Sequence, residues 1–121
     1  MNLYKEIEKI FPEIENALST EKIEEFKNMD EKELSDYHFG LGLWIRNTFI
    51  HPKDGLLHEL SKSNFILEPD SLSSMVTRCF YYYLNQDKYC ELLKNLVELK
   101  HDQGESYHKY ANRFVRLLYK I

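Results

Sequence analysis

Punctuation is what this chain lacks. Its 121 residues include only four glycines and three prolines, whereas a many-stranded sandwich or barrel needs turn residues about every 8–12 positions. Helices are the remaining solution, and the apolar spacing agrees. Leu3, Ile7, Ile10, Ile14 and Leu18 recur at steps of three and four, so they share one helical face and leave Glu6, Glu8, Glu13 and Glu15 for the wet side. Pro12 removes a backbone donor inside that stripe, which predicts a kink or break near Phe11.

The same reading continues along the chain. Ser19 or Thr20 is placed to cap a short helix through Asn28 that carries Ile23 and Phe26. Asp30 followed by Glu33 forms a capping-box-like start for a third helix, with Leu34, Tyr37, Leu41, Trp44 and Ile45 on one face. Gly40 and Gly42 lie inside it, each costing about 1 kcal/mol relative to Ala. Pro52 ends that helix, and Pro52-Lys53-Asp54-Gly55 reads as a turn. A short helix around Leu56 to Leu60 and a loop from Ser61 to Glu68 follow. Asp70 is the expected cap of the next helix, which places Leu72, Met75, Val76, Cys79, Phe80, Tyr83 and Leu84 inward. Two more helices are expected, from about Lys88 to Lys100 and around Tyr107 to Leu118. With 43% hydrophobic and 14% aromatic residues there is material for one core, and 121 residues make one domain's length. The expectation is an all-α fold: a single domain over residues 1–121, packed as a compact bundle of about six helices.

Charge is unevenly distributed. The chain carries a formal −4, but residues 1–36 hold eleven acidic and five basic side chains, a local −6. The last fifteen residues hold Lys109, Arg113, Arg116 and Lys120 and no acid. Such a balance disfavours a protein built mainly to grip RNA. The N-terminal stretch lacks the apolar run of a secretory signal, and no apolar stretch approaches a membrane span. Cys79 and Cys90 form no C-x-x-C and no zinc-like spacing with His. The expected setting is cytoplasmic with reduced thiols, with no metal, no cofactor and no membrane.

Arg46-Asn47-Thr48-Phe49-Ile50-His51 places an Arg, a polar residue and a His at the end of a helix. This resembles the motif of the HEPN (higher eukaryotes and prokaryotes nucleotide-binding) superfamily, all-helical domains that often cleave RNA without metal where two protomers meet. The resemblance implies Arg46 as phosphate clamp, Asn47 as polar support, His51 as acid/base, RNA as substrate and a possible homodimer. The chemistry is coherent: a neutral imidazole takes a proton from a ribose 2′-hydroxyl while Arg stabilises the charge developing on phosphate.

Another resemblance covers about fifty residues. Tyr37-His38-Phe39-Gly40-Leu41-Gly42-Leu43-Trp44-Ile45-Arg46-Asn47, then Pro69-Asp70-Ser71-Leu72-Ser73-Ser74 running to Tyr82-Tyr83-Leu84-Asn85, is similar to a family of small bacterial helical domains of uncharacterised activity. That resemblance implies no known activity. The residues also make sense structurally: Arg46 complements a helix end and can tie Asp70 or another acid across the fold, and Trp44 is expected in the core.

Binding candidates complete the reading. Consecutive helical residues are about 100° apart, so the run Phe80-Tyr81-Tyr82-Tyr83 is not expected to bury whole, and Tyr81 or Tyr82 is expected to face water or a partner. His38 shares a helix with Arg46, and His58 follows just beyond the turn. The leading expectation is a small non-catalytic domain that binds another protein, of the immunity or inhibitor kind, through Tyr81, Tyr82, Arg46 and His38. The alternative is the ribonuclease, acting through Arg46, Asn47 and His51.

Overall fold

The first apolar stripe divides at Pro12, as expected. In the computed structural model, which describes residues 2–62 and 68–121 and only the backbone of residues 37–39, helix α1 (Leu3–Glu8) ends before the proline and α2 (Phe11–Ala17) begins beside it. Asn2 caps α1 by accepting from the Lys5 N–H at 3.0 Å. Both halves keep their apolar face inward, with Leu3, Ile7, Ile10 and Ile14 fully buried. Ser19 caps α3 (Thr20–Lys27) through the Lys22 N–H at 3.2 Å.

The segment expected to form one helix from Asp30 to Pro52 is helical throughout but irregular. It runs as a 3-10 stretch (Glu31–Tyr37), a π turn (His38–Gly42), the short α4 (Leu43–Ile45) and a second π turn (Arg46–Ile50). Asp30 opens it by accepting from the Lys32 N–H at 3.0 Å, and its carbonyl accepts from Glu33 at 2.9 Å, the spacing of a 3-10 turn. Gly40 and Gly42, without side chains to enforce regular α packing, sit in the widened turn. Gly55 closes the turn after Pro52, its N–H donating to the Pro52 carbonyl at 2.9 Å. A Cβ there would lie 2.4 Å from the Phe49 carbonyl oxygen, so only glycine fits. A 3-10 turn (His58–Ser61) follows, in place of the short helix expected slightly earlier. Phe65, Ile66 and Leu67, expected to tuck inward from the next loop, lie outside the described residues.

Helix α5 (Pro69–Leu84) is the central element, packing against α1, α3, α4, both π turns and α7. Pro69 occupies its first turn, where the missing N–H costs nothing. The expected Asp70 cap is corrected: Glu68 holds the cap position without a side-chain bond, and Asp70 lies within the first turn. The chain ends in α6 (Cys90–Glu98) and α7 (Tyr107–Tyr119), which pack on each other. The buried Tyr110 hydroxyl joins them to the N-terminus, accepting from the Leu3 N–H at 2.9 Å and donating to the Leu99 carbonyl at 3.2 Å. Arg113 grips Glu105 with two bonds of 2.8 Å, and these bonds hold the Glu105 carboxyl down to about 2. The fold is all-α, with no strand among the described residues, and none of their helices is long and apolar enough to cross a membrane.

Candidate functional site

Arg46 opens the second π turn, where the backbone bonds five residues ahead: the His51 N–H donates to the Arg46 carbonyl at 2.9 Å. The Arg46 guanidinium is engaged. Its Nη1 lies 2.7 Å from Asp70 Oδ1 and its Nε donates to Asn47 Oδ1 at 3.4 Å, so the tie from Arg46 to Asp70 legible in the sequence is present. Asn47 and His51 are exposed. The structure therefore brings Arg46, Asn47 and Asp70 together, with His51 one turn on. The His38 side chain lies outside the described residues. His58 is buried, its Nδ1 2.7 Å from the Ile50 carbonyl oxygen, which assigns the proton to Nδ1; its Nε2 has no hydrogen-bond partner. Among the described residues no three His, Cys, Asp or Glu converge as a metal site.

The expectation that Tyr81 or Tyr82 faces solvent is overturned, since the two rings are 3% and 0% exposed. The 100° argument holds for a helix covered on one side, but α5 is enclosed on several. Tyr81 points towards α3, its ring edge-on to Phe26 at 5.8 Å and its hydroxyl donating to the Met29 carbonyl at 2.8 Å. Tyr82 turns the other way, packs against Tyr89 at 4.5 Å and donates to Glu31 Oε2 at 2.5 Å.

Glu31 is the centre of a polar cluster inside that aromatic shell. Its carboxylate also accepts from Arg78 at 3.2 Å and Tyr89 at 3.2 Å, and pairs with Lys120 Nζ at 3.5 Å. Arg78 lies over the Tyr119 ring at 4.7 Å. Burial pushes the Glu31 carboxyl up, but the Tyr82 hydrogen bond, Lys120, Tyr89 and Arg78 together outweigh it and hold it below the usual carboxylate range. Tyr82 is pushed up, first by burial and then by its bond to Glu31. Every polar tip meets a partner, so this cluster is built as a tie between the 3-10 stretch, α5 and the chain's end.

Trp44 shows the opposite arrangement. Expected in the core, it is only partly covered, packed edge-on to Phe49 at 5.4 Å. Its other side borders a groove of about 400 Å³ between α2, α3 and the first π turn, walled by Leu18, Phe26 and Leu41 with Lys22 and Glu25 at the rim. A Cβ added at Gly40 would meet nothing within 4 Å. Gly40, which the helix holds despite its cost relative to Ala, leaves space open beside Trp44. Sequence reasoning missed Leu18 and Phe26 as groove walls because their spacing reads equally as core; Gly40 one turn before Trp44 was the available signal.

The family described as Domain of unknown function (DUF6794) matches residues 5–84. The chain belongs to that family. The matched stretch contains the whole Trp44 groove, the Arg46–Asp70 pair, Glu31, Arg78 and Tyr82, while Tyr89 and Lys120, which complete the polar cluster, come from beyond it. Another groove, of about 390 Å³, is lined from both inside and outside the match, by Glu8 and Tyr83 within it and by Tyr4, Cys90, Leu93 and Val97 beyond it. No curated protein and no solved structure matches the chain.

Proposed function

We propose that this chain is a small non-catalytic binding domain that seats an apolar side chain of another protein in the Trp44 groove, in the manner of an immunity or inhibitor protein. The observation that carries this reading is a tryptophan with one side against the core and the other facing an open apolar groove beside Gly40. Tryptophan is favoured at such positions because it supplies a large, rigid contact area. A reducing cytoplasm suits the chain, since Cys79 and Cys90 are both free thiols.

The second reading, a HEPN-like ribonuclease, is favoured by the exposure of Asn47 and His51 on the turn that Arg46 opens. Against it stands the bond from Arg46 to Asp70, which a phosphate would have to displace. Point variants separate the two. On the binding reading, Arg46→Ala lowers stability by about 1 kcal/mol or less, as for a partly exposed ion pair, and His51→Ala leaves the thermal midpoint unchanged. Metal-independent RNA cleavage by the purified chain, lost in His51→Ala, would establish the ribonuclease instead.

A further inference from the structure

Resting on the groove reading above, we infer that its occupant is a bulky apolar side chain carried on a basic segment of the partner protein. The two sides of the groove differ in charge. From Tyr37 through Ile45 there is no Asp, Glu, Lys or Arg, so the wall that bears Gly40, Leu41 and Trp44 is uncharged. The opposing wall is acidic. Glu25 stands at the rim, Glu21 lies one turn before it on α3, and Glu13 lies one turn before the lining residue Ala17 on α2.

Lys22, the rim's basic residue, is already 3.8 Å from Glu25, whereas Glu13 and Glu21 have no ion pair among the described residues. An incoming segment with Lys or Arg beside its apolar anchor meets that unneutralised charge, which favours encounter and orientation. An acidic segment, a nucleic acid or an anionic membrane is repelled by the same carboxylates. Arg113 and Lys120, part of the basic C-terminal stretch, are engaged on Glu105, Asp102 and Glu31.

The test is selection from a displayed library of random peptides on the full chain, with Gly40→Leu as the counter-selection. That variant places a side chain in open space and so fills the groove without disturbing the core. Trp44 is the sole tryptophan, so its fluorescence reports occupancy by synthetic tryptophan-free versions of the winners. The expected winners pair a Leu, Ile, Met or Phe anchor with excess Lys or Arg, shift Trp44 emission, and bind the full chain at least about tenfold tighter than Gly40→Leu, a difference of about 1.4 kcal/mol. Raising the salt weakens them. Winners with neutral or acidic flanks that still depend on Gly40 would overturn the charge inference and leave the groove reading standing. Winners that bind Gly40→Leu equally well, or no enrichment at all, would overturn both. A larger Trp44 shift with single-stranded RNA or anionic vesicles than with any peptide would also overturn the inference.

Discussion

The Glu31 cluster and the Trp44 groove draw on different parts of the same irregular helical segment, the first on its 3-10 stretch and the second on the turn from Gly40 to Trp44, and both are lined by aromatic residues. In the cluster, Tyr81, Tyr82 and Tyr89 are buried, and their hydroxyls reach the Met29 carbonyl or the Glu31 carboxylate. In the groove, Trp44 keeps one side uncovered beside Gly40. Sequence patterning suggests the reverse for two of them, with Tyr81 or Tyr82 outward and Trp44 inward. Aromatic character alone does not decide burial. A tyrosine joins the core where a polar partner waits for its hydroxyl, and a tryptophan stays partly open where the residue one turn away supplies no side chain to cover it.

The largest effect expected is at Tyr82. Tyr82→Ala should cost about 3–5 kcal/mol, read by chemical denaturation, because it leaves a cavity and strips Glu31 of its closest donor. A cost no larger than that of Trp44→Ala would mean that the cluster is no part of the core.

Glu31 sharpens the contrast through pH. Its folded carboxyl titrates below the ordinary range, so the folded state binds its proton less readily than the unfolded state does. The stability it contributes is present above the ordinary carboxylate pKa and lost as pH falls through the lowered folded value. Glu31→Gln should cost about 2 kcal/mol at neutral pH and reduce the acid sensitivity of the thermal midpoint; an unchanged acid limb would remove Glu31 from that role.

On the other side, Trp44→Ala should cost about 1.5 kcal/mol, keep its helical circular dichroism and lose partner binding. Unfolding would place Trp44 in the core after all. The smallest effect is expected at Gly40→Ala: with open space for the new methyl, it should raise stability by about 0.5–1 kcal/mol, and a destabilised variant would show that the groove is closed at that point.

The local devices were legible where one residue acts on its own backbone. Pro12 divides the first stripe, Ser19 caps α3, and Gly55 closes the turn after Pro52. The all-α class followed from the scarcity of turn residues and from periodicity, both properties of the chain taken a few residues at a time. What the sequence could not settle is how many sides of a helix are covered. Tyr81 and Tyr82 are buried because α3 stands on one side of α5 while Glu31 and Tyr89 stand on another. Leu18 and Phe26 become groove walls because α2 and α3 stand apart from the Gly40 turn. Periodicity reports the face of one helix, but burial is set by its neighbours, and those contacts join residues dozens of positions apart that only the tertiary structure brings together.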